Sequence, residues 1–443
     1  MKWIKALYLN NRFFQVVGFV VLTAILGYVF PFLESIARVM MYLVFTLLIV
    51  DVLILFRVKR GIIGDRITPD KFSNGDENPV RIYLQSYYQF KVKLKVIDEV
   101  PRQFQMRKAS FSIGIEPNQK QRIDYQLRPV KRGEYHFGKL NVFTISPLGF
   151  VARRFQFKEP VMVPVYPSFI QMRKFELLAI SNSLTLQGVK KIRKIGQNQE
   201  FEQIKEYVAG DDFRTINWKA TARRTHLMVN TYQDEKAQHV YSLVDKSRVM
   251  RMPFEGMSLL DYAINSSLAL SNIAIKKGDH AGLITFQHKL QTVVPASKRN
   301  NQMQLIQEAL YNQKTNYHES DFSRLFVGVK RRLNHRSLLL LYTNFESMAG
   351  LERQLSYLTN LAKSHVVVVI FFENTELQDL LNSEPKTVKQ IYHKTVAEKF
   401  DHEKRLIVRE LNKHGIYAVL TPPQDLTVNT INKYLELKAR GLI

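Results

Sequence analysis

Two long apolar runs open the chain, Phe13 to Phe30 and Val39 to Phe56, each about 18 residues and so close to the length a helix needs to cross hydrocarbon. Beyond them the rhythm changes twice. From about Ile62 to Pro167, segments such as VRIYLQSY, FKVKLKVIDEV, RIDYQLRP and GEYHFGKLNVFTISP alternate apolar and polar positions with period two, with turn signals at Gly133 and at Pro147-Leu148-Gly149. That pattern predicts an all-β, sandwich-like domain over 62–170. From 236 onward, wholly apolar runs (HVYSLVDKS, AGLITFQ, RSLLLLYTNF, HVVVVIFFEN, GIYAVLTP) alternate with helical stretches such as MAGLERQLSYLTNLAKS and 387–414. Strands without alternation, separated by helices, predict an α/β domain over 236–443 with a doubly wound, mostly parallel sheet covered on both faces. Ligands of such sheets bind beyond the carboxyl ends of the strands. Residues 171–235 connect the two domains, and 1–61 form a transmembrane helical hairpin.

Charge orients that hairpin. Lys2, Lys5 and Arg12 precede the first run and Arg57, Lys59 and Arg60 follow the second, while the intervening PFLESIAR carries one acid and one base. The positive-inside rule then places both ends, and the soluble domains, in the cytoplasm. Asp51 is costly in hydrocarbon but stands near the Arg57 end, where a packing or snorkelling role is expected in preference to transport. The formal charge is +25, from 64 Lys and Arg against 39 Asp and Glu, and it is spread over clusters at 91–95, 130–132, 190–194 and 330–332. Beside a bilayer such a surface is drawn to anionic headgroups. No helix-turn-helix, zinc knuckle or basic-aromatic signature accompanies it, so nucleic acid is not an expected partner. With no cysteine in 443 residues, disulfides, thiolate metal sites and a cysteine nucleophile are excluded.

The densest chemistry lies in QEFEQIKEYVAGDDFRTINWKATARR, Gln199 to Arg224. Gly210 followed by Asp211 and Asp212 reads as a turn feeding a helix N-terminus, where an Asp accepts from free amides. Arg214 and Arg223 follow within reach, and Glu200, Glu202 and Glu206 supply acids on a preceding helical stretch. Together they predict a clamp of charge-assisted bonds around the Trp218 ring.

This block, E-F-x2-I-x2-Y-V-x-G-D-D-F-R-x-I-N-W-x-A-T-A-R, resembles the signature of the bacterial domain-of-unknown-function family fifty-eight, carried here by Glu200, Phe201, Tyr207, Gly210, Asp211, Asp212, Arg214, Asn217, Trp218 and Arg223. The stretch Tyr125–Arg154 is similar to the same family's R-G-x-Y-x-F-G and S-P-L-G-x elements. The resemblance implies a protein of the bacterial inner membrane whose C-terminal domain is von Willebrand A-like and whose partner is a MoxR-type AAA ATPase. It also implies where an ion would sit. Domains of that kind that bind Mg²⁺ use D-x-S-x-S after the first strand, a Thr from a later loop and an Asp after the fourth strand, hard oxygens for a hard cation. This chain keeps Asp245 and Ser247 but has Val249 for the second Ser and Asn344 for the acid. Thr315 or Ser320 would supply the loop oxygen. The lost charge and hydroxyl, with Lys246 and Arg248 adjacent, predict a site without Mg²⁺ or any other cofactor, and an Asp245 that accepts from nearby bases or backbone amides.

No P-loop, H-E-x-x-H helix or G-x-S-x-G elbow occurs. His226, His239, His280, His288, His318, His335 and His365 read as isolated, hydrogen-bonding residues. The expectation is a non-enzymatic, two-pass adaptor for the ATPase in assembly or remodelling of other complexes. The alternatives are a metal-assisted hydrolase using Asp211, Asp212 or Asp245, and an oligomeric scaffold.

Overall fold

The computed structural model describes residues 6–443 apart from 107–108, 158–159, 181–198, 209–210, 212, 225, 235–236, 316, 383 and 386. The chain folds as two compact units, Met1–Tyr166 and Pro167–Ile443, where the sequence suggested four segments in series. The difference starts near the N-terminus. Strand β1 (Leu7–Leu9) pairs antiparallel with Val151–Arg153, so the apolar helices that follow it are spliced into the β-rich unit instead of preceding it.

Those helices are α1 (Asn11–Gly27) and α2 (Pro31–Phe56). Residues 31–38, expected as the connection between two crossings, are instead the first turns of α2. Pro31 suits the first helical position, and the i,i+4 pair of Glu34 and Arg38 at 2.8 Å supports the next turn. Among the described residues α2 is the one helix long and apolar enough to span a membrane; α1 is apolar but shorter. Strands β2 (Ile62–Ile67), β3 (Phe72–Ser73), β4 (Asn78–Ser86), β5 (Val92–Asp98), β6 (Ala109–Ile115), β7 (Lys120–Leu127), β8 (Gly133–Phe137), β9 (Leu140–Ile145), β10 (Val151–Phe157) and β11 (Val161–Tyr166) complete the unit. They form sheets of order β1-β10-β9-β5-β6, β2-β4-β7 and β3-β11-β8. Alternation along β4 and β5 sends Ile82, Leu84, Val92, Leu94 and Val96 into one core between the first two sheets, and Leu55 from the end of α2 joins it.

The second unit runs through α3 (Phe169–Ile180), β12 (Gln199–Glu206), α4 (Trp218–Thr221), β13 (Met228–Asp234), β14 (His239–Asp245), the small hairpin β15 (Pro253–Phe254) and β16 (Met257–Ser258), α5 (Leu259–Lys276), β17 (His280–Phe286), β18 (Leu290–Ser297), α6 (Gln302–Tyr311), α7 (Phe322–Arg332), β19 (Leu338–Tyr342), α8 (Met348–Ala362), β20 (Val366–Phe372), α9 (Thr375–Asn382), α10 (Val388–Lys413), β21 (Tyr417–Thr421) and α11 (Leu426–Ala439). A six-stranded mixed sheet, β18-β17-β14-β19-β20-β21, is parallel except for the edge strand β18. Its central strands are buried along their whole length, as their continuous apolar sequence requires. Helices α5, α6 and α11 close a core on one face and α7, α8 and α10 on the other. A Ser258–Asp261 capping box fixes the start of α5, and Thr387 with Gln390 does the same for α10.

Candidate functional site

The carboxyl end of β14 delivers Asp245 to the edge where parallel sheets bind ligands. Its carboxylate is fully buried and is met by two hydroxyls and a backbone amide. Ser320 Oγ, just before α7, lies 2.7 Å from each carboxylate oxygen; Thr343 Oγ1, just after β19, donates to Oδ2 at 2.7 Å, and the Ser247 amide to Oδ1 at 2.9 Å. Burial pushes the carboxyl up, and the bonds from Ser320, the Ser247 amide and Thr343 oppose it. Of the two proposed loop oxygens, Ser320 is the one that arrives. Thr343 was not anticipated, and the partners are hydroxyls and an amide, not bases: Lys246 instead donates to Gln291. The Ser247 hydroxyl is buried beside the carboxylate without a well-formed hydrogen bond of its own.

Asn344, one residue on, turns to a different partner. Lys404 of α10 donates to Asn344 Oδ1 at 3.1 Å and to the Phe372 carbonyl at the end of β20. Burial lowers this ammonium to about 8, with Glu346 and Glu373 resisting. A cavity of about 130 Å³ opens over Asp245, Ser320, Thr343 and Asn344, and Arg248, Glu319, Glu346 and Arg353 share its wall. Glu319 faces Arg248 at 3.3 Å and Glu346 favours the Lys404 charge. Toward a hard cation the edge offers one buried carboxylate and the hydroxyls of Ser247, Ser320 and Thr343, with Asn344 standing where a second acid would add charge. Both oxygens of Asp245 already accept, Asn344 is taken by an internal cation, and among the described residues no three acids or histidines converge on one point.

The acidic stretch of the signature block is a strand of a two-stranded ribbon outside the main sheet, not a helix. Glu200, Glu202 and Glu206 lie on β12, which pairs antiparallel with β13 from Gln199↔Asp234 to Glu206↔Met228. Gly210 and Asp212 lie outside the described residues, as do the side chains of Glu200, Phe201 and Arg214. Asp211 caps no helix: it accepts from Lys205 Nζ at 2.9 Å and from the Val208 amide at 3.1 Å, which together hold its carboxyl low. The cap of the short helix α4 is Asn217, whose Oδ1 accepts from Ala220 N and whose Nδ2 donates to Asn230 of β13. Thr221 Oγ1 accepts from Met228 N, so the I-N-W-x-A-T element straps α4 onto the ribbon. That leaves the aromatics outside. Trp218 is 69% exposed and Phe213 70%, with Tyr207, Val208 and Leu227 also exposed and Arg223 on the solvent side, so the indole is open to solvent.

Asp51 has a sharper role than the sequence suggested. Its buried carboxylate accepts from Ser146 Oγ, from Phe150 N at 3.2 Å and from Leu148 N at 3.4 Å, and so holds the whole S-P-L-G turn, whose Gly149 has φ +83°. Beside it Arg153 donates to the carbonyls of Leu55, Val58 and Lys59, capping the C-terminal end of α2, while Tyr88 Oη donates to Leu55 O at 3.0 Å. The histidines are not all isolated. His239, His280 and His335 stack, with centroids 4.9 and 5.6 Å from His239, and His288 lies 5.1 Å from His318; parallel strands bring the first two side by side.

Residues 203–382 match the family described as protein of unknown function DUF58, which supports the kinship that the signature suggests. The uncharacterized protein YeaD of Bacillus subtilis (strain 168) is 24% identical over 163 residues, 36% of this chain and 38% of its own length, so the match spans well under two thirds of that relative. Among solved structures, the conserved hypothetical protein BatB from Bacteroides thetaiotaomicron is similar over 46% of this chain and 99% of its own, at 14% identity and TM-score 0.32. The CARDB domain of PF1109 from Pyrococcus furiosus is similar over 24% of this chain and 93% of its own, at 11% identity and TM-score 0.18.

Proposed function

We propose that the chain is a non-enzymatic adaptor, anchored in the bacterial inner membrane by two passes, whose cytoplasmic second unit is a von Willebrand A-like module that docks a MoxR-type AAA ATPase. The observation that carries this reading is the exposed aromatic surface of the signature ribbon. Large aromatics strapped rigidly to a β-ribbon and left in water are typical anchors of protein interfaces. Phe213 and Trp218 have that character, with Lys219, Arg223 and Arg224 exposed around them to steer an acidic partner.

The anchor has its own support. Phe14, Phe19, Leu22, Ile25, Val39, Leu43 and Phe45 are exposed on α1 and α2, a surface suited to lipid. The end of α2 from Asp51 to Phe56 is held by the β-rich unit, which leaves Pro31–Val50, about 20 residues or about 30 Å, for the crossing. At the carboxyl edge, Asp245 accepts from the Ser320 and Thr343 hydroxyls and Lys404 is tied to Asn344, so both charged groups are engaged within the unit itself.

The test is co-expression of the full-length protein with a MoxR-type ATPase, followed by co-purification in mild detergent and an ATPase assay. The wild type should retain the ATPase; Trp218→Ala and Phe213→Ala should each weaken retention by about tenfold or more, as interface anchors do. No retention by the wild type rejects the partner. A melting temperature raised by Mg²⁺ would instead favour metal-assisted hydrolysis, since a ligand of the native state alone must stabilise it.

A further inference from the structure

We infer that the outward face of α7 is a binding site for a phosphate group, carried by an anionic headgroup or by a soluble phosphate compound. Phe322, Leu325, Gly328 and Val329 are the buried positions of this helix, which leaves 324, 327, 331 and 332 exposed on the other side at helical spacing. Ser323, Arg324, Val327, Gly328, Arg331 and Arg332 line an open groove of about 420 Å³ there. From Phe322 to Phe345 the chain carries Arg324, Lys330, Arg331, Arg332 and Arg336 and no Asp or Glu.

The arginines are not spent on each other's neighbours. Arg324 is positioned by Asp321, 3.2 Å from its Nε, which leaves its terminal nitrogens as donors; among the described residues Arg331 and Arg332 have no ion-pair partner. Gly328 lets the helix sit close on β18, since a Cβ there would meet the Leu290 side chain at 2.6 Å. Basic residues in a last turn suit the helix dipole, but that effect needs one charge and no groove. Three arginines and Ser323 line the same open groove, and planar guanidiniums suit the bidentate geometry of phosphate oxygens. The half-exposed Val327 adds an apolar edge that suits an ester in preference to the bare ion.

The site is tested on the full-length protein in uncharged detergent, titrated separately with inorganic phosphate, dihexanoyl phosphatidylglycerol, dihexanoyl phosphatidylcholine and a short DNA duplex. Phosphate or the anionic lipid should bind, the zwitterionic lipid should not, and Arg331→Gln/Arg332→Gln should weaken binding by about tenfold or more, the loss expected for a charge-assisted hydrogen bond. Removing two exposed charges elsewhere, Lys93→Gln/Lys95→Gln, should leave it unchanged, and both variants should melt as the wild type does. Binding of the lipid alone identifies a headgroup site and binding of phosphate alone a soluble ligand; either supports the inference. It is overturned if neither binds, if the two double variants behave alike, or if the duplex is bound in preference to both.

Discussion

Taking the hydroxyl from Ser320 leaves the buried Asp245 carboxylate short of its closest donor. Ser320→Ala should therefore cost about 1–3 kcal/mol, the penalty for a buried acceptor left unmet, and lower the denaturation midpoint of the detergent-solubilised protein. An unchanged midpoint would show that the hub does not hold the edge together. Lys404 gives a second test. Its proton is released near pH 8 in the folded chain against 10.5 for a free lysine, so between those values the unfolded chain binds the proton and the folded chain does not. Stability from this group rises as pH climbs through that window and is lost as pH falls back through about 8. Lys404→Met should flatten that part of the wild-type curve, measured as the difference between unfolding free energies at pH 7.5 and 9.5. At this scale Asp245 and Ser247 were legible because a strand end and a following loop fix them locally. Ser320 stayed one of two candidates, and Thr343 and Lys404 were not foreseen, since these bonds span 75, 98 and 60 residues.

Among the elements, the buried strands of the main sheet and its long helices could be read directly, because continuous apolar runs and the 3.6-residue period are each tied to one kind of packing. The stretch around Glu200–Glu206 failed for the converse reason. Its charges and apolar positions suit a helix as well as a strand, and the pairing with β13 that decides the matter comes from residues a full loop away. The Asp51 latch was hidden in the same way. Seen in the sequence it is an acid in an apolar run; folded, it is the anchor of the S-P-L-G turn. Asp51→Ala strands the Phe150 and Leu148 amides and the Ser146 hydroxyl. It should speed limited proteolysis between 146 and 150 severalfold, with the rest of the digestion pattern unaltered; equal rates in the two proteins would show that the turn stands without it.

At the scale of the whole molecule, the proposed function requires that the bilayer holds the first unit and leaves the second where an ATPase can reach it. Basic residues on both sides of the apolar runs, Lys2, Lys5 and Arg12 before them and Arg57, Lys59 and Arg60 after, are what the positive-inside rule asks of that arrangement. The most direct measurement is topology in intact cells, with a reporter fused after Ile443 that is active only in the cytoplasm and, in a second strain, one active only outside the inner membrane. The account predicts activity of the first and silence of the second. Activity of the external reporter, with the cytoplasmic one silent, would contradict it.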